Sequence, residues 1–486
     1  MNQQKLDAAL IPWVTAHEKK KRARTDTEAF WATRGIERAR PAMIDAYATP
    51  ETEPLTQPLS ESTDIDNDEA TRKRFDYYCV PASPAMQSLV DHVSVKWLAH
   101  QKLFSRQEEA HDKFLLSTCL SNIVNAELAD SSIEGVTITR DKVRLSLLSR
   151  YRPQVFNKRF LVVVDGLVGC GMLHQVKGFA WHGNVRPAKG KLTTIHSTLI
   201  FRQLMADCHV TDVRDTKWDR TGQEIILRKK DKHIALEEYS DLDVLANGYR
   251  AEVRAINDML QSANITVLNR PGLPYVDDRD RFLQRQFTYQ SWTSGGRLLG
   301  GFWTPMSKAD RHERILINGE STVELDYNSL PYHCMYALAK SPMPEGDVYN
   351  IPGLDPASRA GIKKVMLALT YDKNANRKKF PTKNGEASLL FTEEDRAKGC
   401  PYVITRIRAR HAGIGHLLGA DKGHGLQFIE SQVLIASLLK VREEGLIGLP
   451  IHDCLLVPVS QADRIQAIME ETSLLVAGIR VSVRRQ

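Results

Sequence analysis

Three short segments hold side chains whose types and spacing could carry out phosphoryl chemistry. In Leu449-Pro450-Ile451-His452-Asp453-Cys454-Leu455-Leu456-Val457-Pro458, an ionisable His-Asp pair interrupts two apolar runs. That pattern predicts a β-hairpin whose turn presents the Asp453 carboxylate. In Val323-Glu324-Leu325-Asp326-Tyr327-Asn328-Ser329-Leu330, a short apolar strand ends in a second carboxylate, Asp326. Glu324 lies two residues earlier and so falls on the same strand face; it reads equally as a supporting carboxylate or as an ordinary polar residue. In Arg359-Ala360-Gly361-Ile362-Lys363-Lys364-Val365-Met366-Leu367-Ala368-Leu369-Thr370-Tyr371, the residues Arg359, Lys363 and Tyr371 are separated by four and then eight positions. At 3.6 residues per turn all three stay within roughly 120° of one another, so two cations and a phenol share one helical stripe. Lys and Arg suit phosphate oxygens and a tyrosine suits a sugar and base, so the stripe fits a nucleoside triphosphate. The bland alternatives are a capped hairpin tip and a helix face with scattered bases.

In their order and spacing, these segments resemble motifs A, B and C of the single-subunit right-hand polymerases, the family A DNA polymerases and the phage-type and mitochondrial RNA polymerases. Gly295-Gly296-Arg297-Leu298 resembles the Gly-Arg-Leu element of that superfamily. Asp347-Val348-Tyr349 and Phe428-Ile429-Glu430-Ser431-Gln432 resemble segments of its RNA polymerase branch. The likeness covers about residues 290–460. It implies an α+β, right-hand fold with palm, fingers and thumb, preceded by a mixed N-terminal region. It also implies two Mg²⁺ ions, or Mn²⁺ in their place, held by Asp326 and Asp453. By the same resemblance Lys363 joins the two aspartates in catalysis, and Arg359, Lys363, Tyr371 and Glu430 bind the nucleotide. Arg297 and His452 then meet the primer–template.

Three departures qualify that inheritance. Pro331 stands where the DNA branch carries a glutamate that excludes a ribose 2′-OH. Cys454 follows the motif C aspartate where the DNA branch has a glutamate. Asp372 replaces the glycine that normally follows the motif B tyrosine. The first two favour ribonucleotides, and the leading expectation is a template-directed nucleotidyltransferase without proofreading, a compact RNA polymerase or primase-like enzyme. The alternatives are a family A-like DNA polymerase, replicative or repair, of a phage or mobile element, and a non-catalytic nucleic-acid-binding protein with a relic palm. The implied partners are a nucleic acid template, DNA first, and nucleoside triphosphates, with room for an accessory protein.

Composition bounds the rest. A chain of 486 residues with 42% hydrophobic and 26% charged residues has the makeup of a globular protein of two or three domains. Its net charge of +7 fits nucleic acid without requiring it. The seven cysteines are scattered, which indicates neither a zinc site nor a disulfide framework. With no signal pattern at Met1-Asn2-Gln3-Gln4-Lys5 and no membrane-length apolar run, a cytoplasmic location off the membrane is the expectation. Three regions are expected. Residues 1–75 form a helical basic arm, with the run Glu18 to Arg24, and an acidic linker at 48–70. Residues 76–275 form a mixed α/β and thumb-like domain, and residues 276–486 the palm and fingers. Within the second, 75–150 and 242–268 read as helical and 155–245 as strands, including Arg159 to Val164. Val164-Asp165-Gly166-Leu167 lacks the Asp-x-Glu of a proofreading exonuclease, so no exonuclease domain is expected. Residues 372–425 are rich in cations and read either as a solvated surface or as a face toward template.

Overall fold

The computed structural model describes residues 72–486, apart from 101–105, 130–132, 147–148, 154, 180–190, 230–235, 271–272, 274, 374–375 and 382–385. The basic arm and the acidic linker expected before residue 71 lie outside the described residues. The chain divides into two compact units that interleave in sequence. One takes in 61–223 and 269–280, and the other 224–268 and 281–486.

The first unit is mixed. Strands β1 (Arg72–Arg74) and β2 (Cys79–Pro81) lead into helix α1 (Pro84–His100) and helix α2 (Arg106–Ala129). Ser83 starts α1, its hydroxyl accepting from the Met86 N–H at 3.1 Å, with Pro84 in the first turn, where a missing N–H costs nothing. There follow β3 (Gly135–Ile138), α3 (Arg159–Gly169), β4 (Leu173–Val176), β5 (Thr193–Ser197), α4 (Leu199–Asp207) and β6 (Thr216–Trp218). One sheet has the order β1-β3-β5-β4, and β2 pairs with β6. The expectation of strand over Arg159 to Val164 is corrected here, because these residues open helix α3. Phe160, Leu161, Val163, Val164 and Leu167 are its buried side chains. A run of valines reads as strand by propensity, yet a helix buried on several sides accepts the same run, and burial decides. Asp165 sits within this helix, not on a strand, and pairs with Arg140 at 2.7 Å.

The second unit carries the segments with the paired carboxylates and the helical cations, together with Gly295–Leu298, Asp347–Tyr349 and Phe428–Gln432. It opens with β7 (Ile225–Leu227), α5 (Val244–Ser262) and β8 (Ile265–Val267), and continues after residue 280 with β9 (Leu283–Phe287) and β10 (Gly295–Gly300). Next come α6 (Lys308–Arg314), β11 (Ile315–Ile317), β12 (Thr322–Tyr327), α7 (Leu330–Ala339), α8 (Arg359–Tyr371) and α9 (Glu393–Arg410). The last elements are α10 (Gly423–Glu443), β13 (Leu449–Ile451), β14 (Cys454–Pro458), α11 (Ala462–Ala477) and β15 (Val483–Arg485). A four-stranded antiparallel sheet has the order β13-β14-β12-β15, and a second sheet has the order β10-β9-β7.

Helix α10 is the centre of this unit. Every residue from Phe428 to Val441 is buried, as expected of a helix covered on all sides, and it packs on α11, β10, α7 and α5. Its close approach to β10 depends on Gly296, whose φ is +75°. A Cβ there would come within 3.0 Å of the Ser431 hydroxyl and 3.2 Å of the Phe287 ring. Behind this contact Arg285 is fully buried. It donates to Glu252 at 2.9 Å and to the Gly296 carbonyl at 3.0 Å, and its guanidinium lies 4.4 Å from the centre of the Tyr249 ring. A buried guanidinium survives only where its donors are taken, and here they tie α5, β9 and β10 together.

Candidate active site

Strand β12 delivers Asp326 to the end of the four-stranded sheet. Tyr327, the next residue, is buried, and its hydroxyl donates to the Met469 carbonyl at 2.8 Å, which fixes the strand end against α11. Asp326 pairs in register with Cys454 on β14. Asp453 immediately precedes Cys454, in the two-residue turn between β13 and β14. His452 takes a left-handed φ of 58° in this turn, and the Cys454 thiol donates back to the Ile451 carbonyl at 3.0 Å. The Trp303 indole N–H, fully buried, holds β13 by donating to the Pro450 carbonyl at 2.9 Å. Asp326 on β12 and Asp453 in the turn that leads into β14 thus belong to one anchored sheet. Burial, and then the Asp453 charge, push the Asp326 carboxyl above its ordinary range, while Arg484, Lys363 and Gln486 oppose that shift.

Glu324 faces a different neighbourhood. It is buried and bound by Arg311 at 2.7 Å, with Lys308 at 3.4 Å, so it ties β12 to α6. Against the cost of burial, the hydrogen bond and charge of Arg311 hold its carboxyl below the usual range.

Helix α8 sets Arg359 and Lys363 over one aromatic ring. The Arg359 guanidinium lies 4.9 Å, and the Lys363 ammonium 5.9 Å, from the centre of the Tyr349 ring. Arg359 also donates to Asp347 at 2.6 Å, so Asp347-Val348-Tyr349 is the platform on which the cations of α8 rest. Both cations are exposed, and the Lys363 charge reaches Asp326. Tyr371, three turns along, lies elsewhere. Its ring packs where a Cβ on Gly423 would come within 2.3 Å, and its hydroxyl accepts from the Gln427 amide. Asp372, in the place of a glycine, has φ of −73°, so no left-handed conformation is required of it; it ends α8 and binds Arg377 through two hydrogen bonds of 2.8 Å.

A third group links these parts. Arg297 on β10 donates to Glu430 on α10 at 2.9 Å. Glu430 is 5% exposed, and burial pushes its carboxyl up to about 7, Arg297 lowering it and Asp453 raising it further. Burial works against the Arg297 charge, and Glu430, with help from Tyr371 and Asp453, holds the guanidinium protonated. Pro331 occupies the first turn of α7, where its lack of an N–H is harmless.

The geometry therefore gathers Asp326, Asp453 and Lys363 on one side and Arg297, Glu430 and Tyr371 on the other, the two joined through Asp453. His452 is exposed at the hairpin tip. Many cations of 372–425 are spent internally: Arg406 donates to the Pro352 carbonyl at 2.7 Å, and Arg408 to Leu418 at 3.3 Å. Sequence reasoning missed β15. It pairs with β12 so that Arg484 lies opposite Asp326, and the Gln486 amide donates to Asp326 at 2.7 Å. The alternation Val481-Ser482-Val483-Arg484 was the available signal.

No group of three or more His, Cys, Asp or Glu suited to a metal comes together among the described residues. A pair of carboxylates nonetheless fits Mg²⁺, which keeps several waters and shares its coordination with substrate phosphates. No helix among the described residues is long and apolar enough to cross a membrane.

No protein-family model matches the chain, and no curated protein matches it. Among solved structures, the POL domain of Pol1 from M. smegmatis, in complex with DNA primer-template and dNTP, is similar over 50% of this chain and 51% of that one. Identity is 12% and the TM-score 0.29, and the chain spans about half the length of that structure. A likeness this slight identifies neither the family nor the activity.

Proposed function

We propose that this chain is a template-directed nucleotidyltransferase without proofreading, of the right-hand, single-subunit polymerase kind. One observation carries the reading: the cross-strand pairing that sets Asp326 beside the Asp453 turn, within reach of the Lys363 charge. Paired carboxylates alone would suit a nuclease equally. The exposed cations of α8, two on one helical stripe, suit the several charges of a triphosphate.

Asp326 and Asp453 would hold Mg²⁺, which supplies charge stabilisation for the attacking 3′-oxygen and the departing pyrophosphate. Lys363 meets the triphosphate and donates a proton to the leaving group, while Arg359, released from Asp347, grips the terminal phosphate through its fork. The Tyr349 ring lies against both cations. On the other side, Glu430 orients Arg297 toward the minor-groove edge of the growing duplex, where acceptors report pairing without reading sequence. Tyr371 stands beside the sugar of the incoming nucleotide. With Pro331 at the gate position no carboxylate opposes a 2′-OH, and the reading leans to ribonucleotides on a DNA template.

Asp326→Asn and Asp453→Asn are expected to abolish primer extension with Mg²⁺ while duplex binding persists, since the lost charge acts on the transition state. Extension near the wild-type rate by either variant would overturn the assignment. Lys363→Ala is expected to slow single-turnover incorporation at least ~10²-fold, the scale of a positioned proton donor.

A further inference from the structure

Strand β15 brings one more cation to the candidate site. Its register with β12 sets Arg484 directly opposite Asp326, and side chains of residues paired across a sheet leave on the same face. Arg485, the next residue, leaves on the other face, where it pairs with Asp463 and donates to Gln466 at 3.1 Å. Arg484 Nη2 stands 3.7 Å from Asp326 Oδ2, beyond hydrogen-bond range, while the Gln486 amide already donates to that same oxygen at 2.7 Å. Among the described residues the Arg484 side chain makes no hydrogen bond, and it is 53% exposed. An arginine fork held at the rim of a site with its donors unspent is poised for an anionic ligand.

Its charge also reaches Asp347 and Tyr349. Tyr349 is the ring on which Arg359 and Lys363 rest. Three cations therefore converge on one region, two from a helix and one from the sheet that carries the aspartates. We propose that Arg484 is a third phosphate-binding cation of this site, contributed by β15 and meeting the triphosphate from the sheet while Arg359 and Lys363 meet it from α8. This rests on the nucleotidyltransferase reading and adds to it a residue outside the resembling segments. The division of labour has a reason. Arg359 and Lys363 stand on a separate helix, whereas Arg484 is fixed relative to Asp326 by the strand pairing, so it can hold phosphate in register with the carboxylates.

The test is calorimetric titration of inorganic tripolyphosphate with Mg²⁺ into the full chain, which requires no turnover. Arg484→Ala is expected to weaken binding about ten-fold or more, the scale of one charge-assisted contact, and Arg484→Lys to restore part of it. Arg485→Ala, on the opposite face of the same strand, is expected to leave binding unchanged and so to control for damage to β15. If Arg359→Ala and Lys363→Ala weaken tripolyphosphate binding while Arg484→Ala does not, the inference is overturned and the reading of the site stands. If Arg484→Ala instead tightens Mg²⁺ binding and leaves tripolyphosphate unmoved, Arg484 only shields Asp326, and the inference is likewise overturned. If the wild type binds no tripolyphosphate, or if none of Arg359→Ala, Lys363→Ala and Arg484→Ala weakens binding, both fail together.

Discussion

Glu430 is the residue whose chemistry departs furthest from the ordinary. Its carboxyl, buried beside Arg297 and near Asp453, is pushed up to about 7 from an ordinary 4.5, burial being the first cause. With the folded value above the unfolded one, the stability it contributes is full below about pH 4.5 and is lost as pH rises through about 7. At about 1.4 kcal/mol per unit, the loss is on the order of 3 kcal/mol. Urea midpoints at pH 5 and 7.5 should therefore fall with pH in the wild type relative to Glu430→Gln; parallel curves would place the titrating group elsewhere. Sugar choice belongs to the same scale. Competition between ATP and dATP on one template should show ATP used at least as readily, and Tyr371→Phe should change the ratio only several-fold, a hydroxyl contact being worth about 1 kcal/mol. A strong preference for dATP untouched by that substitution would mean another residue guards the sugar. That Asp326 would lie on a strand and Asp453 in a hairpin turn was legible in the sequence, because each stands beside a short apolar run. The tie between Arg297 and Glu430 was not, since nothing in two segments 133 positions apart shows that they will face one another.

Elements were legible where their periodicity was unambiguous and illegible where burial overrode it. The hairpin at Leu449–Pro458 and helix α8 follow their patterns, whereas α3 hides behind a strand-like valine run, and β15 is only three residues long. Glu324 shows the same limit: its type suggested chemistry, and only the packing of α6 reveals an anchor. Breaking a buried pair by removing one partner typically costs about 3–5 kcal/mol, so Glu324→Ala should destabilise on that scale by leaving Arg311 buried without its carboxylate. Denaturant unfolding measures this directly, and a loss below about 1 kcal/mol would mean that the pair does not anchor β12 to α6. Gly296→Ala should also destabilise, by about 2 kcal/mol or more. The new methyl must take a left-handed φ, and it meets Ser431 and Phe287 at the junction of β10 with α10.

For the whole chain, seven thiols and no disulfide define a simple expectation. Six cysteines are buried and only Cys170 is partly exposed. A thiol reagent should label Cys170 first in the native protein and all seven in denaturant; several fast thiols in the native state would contradict the packing. The interleaving of the two units was not legible, because a boundary read from composition cannot show that 224–268 returns to join 281–486. It decides where the gene can be cut. Trimming at residue 276, where the resembling segments begin, would discard Tyr249 and Glu252 and strand the Arg285 guanidinium in the interior without its counter-charge. A minimal version should instead keep 224–268 and excise 269–280. The Arg281 guanidinium already donates to the carbonyls of Ala263 at 2.6 Å and Ile265 at 2.7 Å, so the two ends stand close enough for a short glycine bridge.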